Sequence, residues 1–396
     1  FRYFSYDCKK KFRHIFTFLA LCSLPAPYLV RMRTCLLAGM ISAAILFGEA
    51  SPGDTLNILF WNVENFFDWK NDSTTVSDAE FSSRGERRWT WKRFQAKANA
   101  VAKALFWIEE ETGRLPDLVG LEEVENAFVL RQLLQKTALR KLDYQYVHYD
   151  SPDRRGIDVA LLYRPSRLEL VDSKPCHLFD ADTVMATRDI LLCVFRRAAP
   201  SVMPDSDRVS ITISEEIPGQ AGNDGTFAVL VNHHPSKYGG AKASEPRRRI
   251  AVERLRFLAD SLAAAGIGAI FAGGDFNDTP DNPVFRLLEP ALTPLHMALY
   301  RRGLGTIKYD GKWDLIDHIY ISPEWIPTPS FTTPPVSGSA THFALPPTMH
   351  ILRIPFLLTR DTVHSGEKPL RTYTGPRYTG GVSDHLPVLL EVAFPP

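Results

Sequence analysis

Beyond its first 35 residues the chain has only two cysteines, Cys176 and Cys193. So few thiols exclude a disulfide scaffold. No Cys/His spacing of the zinc-binding kind is present, which excludes a structural zinc module. Whether the two thiols join or stay separate and buried is open in the sequence. An excess of one charge is also missing: 46 Lys and Arg face 45 Asp and Glu, for a formal net charge of +1. No global basic field announces nucleic acid and no global acidity announces disorder, so any grip on an anion must come from local patches. There are no internal repeats and no linker that divides two cores. The apolar stretch that follows Met32 and ends at Phe47 is too short for a comfortable membrane span.

That stretch has another use. Met32-Arg33 opens a short basic region, an apolar region runs through Phe47, and small residues follow at Gly48–Ser51, the pattern of an export signal. We expect a leader over 1–53 and a single domain over 54–396. The leader would direct export to the periplasm, the outer surface or the medium, with a retained anchor as the weaker alternative. A hydrophobic content of 45% suits a sizeable core.

Apolar runs predict buried strands at Leu56–Trp61, Leu118–Leu121, Val159–Tyr163, Leu168–Val171, Ile190–Phe195, Phe227–Val231, Ile267–Ala272, Asp317–Ile321 and Pro387–Val392. Tyr144–Tyr149 alternates. Helical spacing covers Trp91–Glu111, Ala127–Arg140 and Glu245–Ala265. Residues 199–225 read as a surface insertion and 326–379 as a long irregular excursion. Strands with interspersed helices predict a mixed α/β domain.

The strand ends carry the chemistry. Asn62 and Glu64 follow the first strand; Glu122, Glu123 and Glu125 follow the second; Asn232, His233 and His234 end another. Gly273-Gly274-Asp275-Phe276-Asn277 ends the strand at 267–272, Asp317-His318 opens one, and Ser383-Asp384-His385 precedes the last. Residues i and i+2 of an extended chain share a side, so Asp275 and Asn277 can serve one substrate atom, as proton acceptor and as neutral hydrogen-bond partner. A lone Asn at a strand end caps a turn, and a lone Asp-His is a surface pair. Six such endings on one chain point instead to one concave rim. Hard oxygen ligands without thiolates suit Mg²⁺ or Mn²⁺.

In order, Phe60-Trp61-Asn62-Val63-Glu64-Asn65, Leu121-Glu122-Glu123-Val124, Asn232-His233-His234-Pro235-Ser236-Lys237, Gly274-Asp275-Phe276-Asn277-Asp278, Ile316-Asp317-His318-Ile319 and Ser383-Asp384-His385-Leu386-Pro387 resemble the endonuclease/exonuclease/phosphatase superfamily, as a bacterial-type member. The resemblance implies a four-layer α/β sandwich, two packed mixed β-sheets flanked by helices. It implies Asn62, Glu123 and Asp384 as metal ligands and Asp275 as the residue that orients or deprotonates water. Asn277 would hold a phosphate oxygen, His385 would stabilise the transition state, Asp317 would orient His385, and His233 would help protonate the leaving oxygen. Glu122 stands where the family often has Gln, and His234 should face the other way.

Around that set, Ser236, Lys237, Arg155 and Asp158 are candidate substrate contacts. Arg84, Arg87, Arg88, Lys92 and Arg93, interleaved with Trp89 and Trp91, resemble a nucleic-acid surface, although a solvated helix start has the same composition. The favoured reading is a monomeric, Mg²⁺-dependent, nuclease-like phosphodiesterase acting on DNA or RNA, with no protein partner implied. A sphingomyelinase-like lipid phosphodiesterase would need an exposed aromatic hairpin, for which the sequence offers no clear segment. A small-molecule or inositol phosphatase and a catalytically dead binding module are the further alternatives.

Overall fold

A computed structural model describes residues 55–71, 75–199, 225–237, 239–326 and 346–393. The expected leader and almost all of the 199–225 insertion lie outside the described residues. In chain order the principal strands are β1 (Thr55–Phe66), β2 (Leu118–Val124), β3 (Gln145–His148), β4 (Asp158–Tyr163), β5 (Leu168–Cys176), β6 (Ile190–Arg197), β7 (Phe227–His233), β8 (Ala269–Asp275), β9 (Thr293–Pro294), β10 (Asp317–Ile321), β11 (Thr348–Ile351) and β12 (Val388–Ala393). The long helices are α1 (Trp91–Thr112), α2 (Ala127–Lys136) and α3 (Ala241–Ala264).

Two six-stranded sheets form, ordered β11-β12-β1-β2-β4-β3 and β9-β10-β8-β7-β6-β5. Each has one parallel pair at its centre, β1 with β2 and β7 with β8, flanked by antiparallel neighbours. Alternation along the strands builds the layers. On β1, Leu56, Ile58 and Phe60 enter the core between the sheets. Leu59, Trp61 and Val63 point outward, into a cluster with Phe94, Val101, Leu105 and Ile108 of α1. On β7, Phe227, Val229 and Val231 face inward, while Ala228 and Leu230 meet Val252, Leu255 and Leu262 of α3. A strand buried on both faces has no polar side, which is why these runs read as continuously apolar. The result is the four-layer sandwich, with helices outside both sheets.

Phe60 sets the spacing at the centre. A Cβ on Gly120 would lie 2.7 Å from its ring, and one on Gly273, in the opposite sheet, 2.4 Å. The ring therefore fits only where both facing positions lack a side chain.

One open question is answered and several expectations are corrected. Cys176 and Cys193 are both buried and free. They lie on paired strands, but Cys193 faces the core between the sheets and Cys176 faces the outer layer. Side chains on opposite faces of one sheet cannot bridge. The 326–379 excursion is not irregular throughout: its described part contributes the edge strand β11 and two hairpins, Leu358–Arg360 with Glu367–Pro369 and Tyr373–Thr374 with Arg377–Tyr378. β5 runs on to Cys176 rather than stopping at Val171, and α2 ends at Lys136, followed by a 3₁₀ turn over Ala138–Lys141.

Candidate active site

The parallel centres of both sheets end at one rim, and the backbone there departs from regular geometry. The β1–β2 register shifts between Asn62 and Phe66. Glu64, Asn65, Glu123 and Asn277 all have left-handed φ angles, between +50° and +64°. Non-glycine residues adopt this conformation rarely, and bulges of this kind turn side chains out of the sheet. Gly274 has φ +127°, and a Cβ there would lie 2.1 Å from the Asn232 carbonyl oxygen. Because β10 runs antiparallel to β8, its first residue, Asp317, sits opposite Asp275. His385 is brought in by its backbone: its carbonyl accepts from the Trp61 indole at 3.1 Å, and its N–H donates to Ser383 Oγ at 2.9 Å.

The side chains converge on Asp275. Asn62 Nδ2 donates to Asp275 Oδ2 at 3.1 Å and lies 3.4 Å from Glu123 Oε1. Asn62 Oδ1 accepts from the Glu64 N–H at 2.9 Å. Asn277 donates from its backbone to Asp275 Oδ1 at 2.8 Å, and from Nδ2 to Asp275 Oδ2 at 3.2 Å and the His234 carbonyl at 3.0 Å. Both amide orientations follow from these neighbours, because only the NH₂ end can face acceptors. Asn277 thus braces Asp275. His385 Nδ1 lies 2.9 Å from Asp317 Oδ2, and its Nε2 is 3.8 Å from Asp275 Oδ2. Thr306 donates its hydroxyl to Asp317 from below. His233 Nε2 lies 3.6 Å from Asp275 Oδ2 and 3.9 Å from Glu123 Oε1.

Electrostatics sort these groups. Burial would lower the His385 pKa, but the Asp317, Asp275 and Asp384 carboxylates hold it well above the ordinary imidazole value. Burial pushes the Asp275 carboxyl up to about 7; His385 opposes this and Asp317 adds to it. Burial, with Asp317 and Asp275 beside it, pushes Glu122 well above the carboxylate range, and neither of its oxygens has a hydrogen-bond partner among the described residues. Burial also raises Glu123, but Arg155, the Asn65 N–H and His385 outweigh it and leave the group below its ordinary value. His233 goes the other way: burial, Arg188 and Arg155 push it well below the ordinary range. It is a neutral ring here, able to offer an N–H but no imidazolium.

A hard divalent cation fits this donor set. Donor atoms of Asp275, Asp317 and His385 lie within 4.8 Å of one another, but a protonated His385 has no lone pair for a cation, which leaves the carboxylates and Asn62 beside it as donors. Buried carboxylates crowded enough to raise each other's pKa, with unpartnered oxygens on Glu122, are what a cation neutralises. Asp384 is held by Arg371, with Oδ2 at 3.0 Å from the guanidinium, and stays partly exposed beside His385.

The outlying candidates divide. Lys237 pairs with Asp278 at 2.8 Å, and Asp278 also takes Arg248 at 3.0 Å, so this lysine braces the turn after Asn277. Ser236 is half-buried. Arg155 and Asp158 do not pair: Arg155 reaches Asp153 at 3.8 Å and influences Glu123, while Asp158 is buried against Ser151 and His148. His234 faces away from the rim, its ring 4.4 Å from that of Phe276. The basic-aromatic segment is partly structural. Trp89 is fully buried and donates to the Phe67 carbonyl, Arg87 pairs with Glu80, and Arg93 lies over the Tyr378 ring. Arg84, Arg88, Trp91 and Lys92 remain exposed.

Two residues near the site carried no signal in the sequence. Arg371 joins Glu64 to Asp384, and the buried Lys97 donates to the Glu64 carbonyl and to Thr372 Oγ1. Both lie in stretches whose composition is ordinary, and only long-range packing brings them here.

A sequence model of the endonuclease/exonuclease/phosphatase family matches residues 57–202 and 198–394. No curated protein matches the chain. Similar solved structures include the human Nocturnin catalytic domain with bound sulfate, at 16% identity over 86% of this chain and 94% of that one, with a TM-score of 0.47. D. rerio TDP2 complexed with single-strand DNA product is 15% identical, covering 85% of this chain and 98% of that chain at a TM-score of 0.45. A Bacteroides thetaiotaomicron mannosyl-6-phosphatase is 15% identical, covering 86% and 100% at 0.47.

Proposed function

The chain belongs to the endonuclease/exonuclease/phosphatase family, a family of metal-dependent phosphoesterases, and on that premise we propose a phosphodiesterase in which Asp275 takes the proton of the attacking water. The observation that carries this reading is the Asp317–His385–Asp275 row. It places a carboxyl of pKa about 7 beside an imidazole held protonated. A general base works best when its pKa is near the working pH. Asn62 and Asn277 aim the Asp275 carboxylate without adding negative charge. Asp317 accepts the Nδ1–H of His385 and thereby presents Nε2–H to a phosphoryl oxygen. Glu123, Asn62 and Asp384 would hold the cation, Mg²⁺ or Mn²⁺, which when bound polarises the phosphoryl group as a Lewis acid.

Nucleic acid is the proposed substrate. Its support is the half-exposed Trp91 among exposed Arg84, Arg88 and Lys92, a smaller patch than the sequence suggested. One observation favours the lipid reading: a short hairpin, Phe179–Asp180 with Thr183–Val184, exposes Phe179 and Val184, and Arg254 lies over both Phe179 and the exposed Phe257.

The test is chelator-sensitive cleavage of plasmid, single-stranded DNA, RNA, sphingomyelin and a chromogenic phosphodiester. We expect Asp275→Asn to lower kcat by about 10²–10⁴ with an unchanged circular dichroism spectrum. Full turnover by that variant would sink the assignment of Asp275. Failure to cleave any of the five would leave a binding module of the same fold.

A further inference from the structure

A second cluster of metal-binding side chains lies where the chain turns from β3 into β4. His148 closes β3, Asp150 follows it, and Asp158 opens β4. Val147 faces the core between the sheets, so His148 looks out of the opposite face. Asp158 shares that face with Ala160, the ladder partner of His148. We infer that His148, Asp150 and Asp158 form a second metal site, which takes a divalent transition ion of the Zn²⁺ type and ties the two strand ends together. The site shares no residue with the set around Asp275, so it stands whatever that set hydrolyses.

The geometry is not that of a plain ion pair. The His148 side chain is 3% exposed, and its Nε2 stands 3.2 Å from Asp158 Oδ2. Yet Nε2 has no hydrogen-bond partner among the described residues, because the oxygen lies off the line along which the ring nitrogen bonds. Two ligands of one cation stand in this way. Each points at the ion rather than at the other, and at about 2.0–2.2 Å from the ion they are roughly 3–4 Å apart. One ligand atom from each of the three residues falls within 4.8 Å of the other two. The Asp150 side chain is 90% exposed, so a change of rotamer can close the remaining gap. Asp158 is the fixed ligand. Its Oδ1 accepts from the Ser151 N–H at 2.9 Å and from the Ser151 hydroxyl, which leaves Oδ2 for the ion. A carboxylate held like this is oriented before the metal arrives.

The donors set the metal class. One buried imidazole with two carboxylates suits Zn²⁺ or a neighbouring transition ion better than Mg²⁺, which prefers oxygen ligands and keeps its waters. The exposed Asp150 leaves a way in from solvent. Position gives the site its use, because the loop over 151–157 runs between the ligands and carries Asp153 and Arg155. Asp153 holds Arg188 at 3.0 Å, Arg188 donates to the His234 carbonyl at 2.6 Å, and Arg155 helps to lower the Glu123 pKa. An ion that clamps both ends of this loop holds Arg155 near Glu123.

The experiment is isothermal titration of the full chain with Zn²⁺, alone and with Mg²⁺ in excess, paired with hydrogen exchange over 149–157. We expect Asp150→Asn and His148→Gln each to weaken one zinc equivalent by about tenfold or more, and Asn62→Ala, at the rim, to leave that equivalent in place. Excess Mg²⁺ should not displace it. Zinc should slow exchange over 149–157 in the native chain and not in Asp150→Asn. Because Asp150 is exposed, its variant keeps the fold and decides the matter even if His148→Gln unfolds. Identical titrations of the native and Asp150→Asn chains would overturn the inference and leave an ordinary His148–Asp158 pair. Loss of the same equivalent in Asn62→Ala would overturn it by moving the zinc to the rim. Displacement by Mg²⁺ would overturn the metal class, and unchanged exchange would overturn the clamp.

Discussion

Gly273 and Gly274 are adjacent and serve different needs. Gly273 leaves room for the Phe60 ring, which a Cβ would approach to 2.4 Å. Gly274 takes a φ of +127°, and its missing side chain makes way for the Asn232 carbonyl, which cannot move without disturbing β7. Gly273→Ala is an overpacking change against a buried aromatic ring, so we expect a loss of about 1–3 kcal/mol. It would be read as a shift in denaturant midpoint at constant m-value, recovered in part by adding Phe60→Leu. An unshifted midpoint would mean that the ring is not wedged. Gly274→Ala should cost more stability than Gly273→Ala, because its clash is with backbone at a φ that side-chain-bearing residues rarely adopt, and should displace Asp275 and lower turnover as well. Residue identity in the Gly-Gly-Asp motif is thus set by two contacts, one from each side.

Among the elements, the edge strand β11 is held to β12 by four paired positions and by one ion pair, His350 Nε2 to Glu391 Oε2 at 3.1 Å. The hydrogen bond that His350 donates to Glu391 raises the His350 pKa, and the same bond lowers that of Glu391. The signs fix a window. A raised His contributes stability below its unfolded value of about 6.5, and that contribution fades as pH climbs through the higher folded value. A depressed Glu contributes above its unfolded value of about 4.3, and loses the contribution as pH falls through the lower folded value. The pair should therefore help most between roughly pH 4.5 and 6.5, by only a few tenths of a kcal/mol because both side chains are over a third exposed. Hydrogen exchange of the β11–β12 amides, corrected for intrinsic rates, should show protection declining from pH 6 to pH 8 in the native chain and staying flat in His350→Ala. Equal slopes in both would remove the pair from the account.

For the whole molecule, the rim gathers buried carboxylates, and Asp275, Glu122 and Glu64 have pKa values raised first by burial and then by acidic neighbours. A cation that binds there stabilises the fold by mass action, about 2.7 kcal/mol at 100 times its dissociation constant. That is a rise of several degrees in Tm for a chain of this size. We expect Mg²⁺ to raise Tm, chelator to reverse it, and Glu123→Gln to blunt it. A Tm indifferent to divalent cations would argue against a cation at this rim.

Legible in the residues alone is the local part of this structure: the apolar runs that become strands, the helical spacing behind them, and the polar residues stationed at strand ends. Those patterns depend on neighbours a few positions apart, so they are legible without a fold. The tertiary structure alone decided which partners those residues meet. Asn62 finds Asp275 across 213 positions and Trp61 finds His385 across 324, and no periodicity encodes such distances. Packing likewise placed Trp89 in the core rather than on a binding surface, put the two thiols on opposite faces of one sheet, and kept His233 neutral. It also brought Arg371 against Glu64 at the edge of the site. Burial and long-range pairing set those outcomes, and both exist only once the chain has closed on itself.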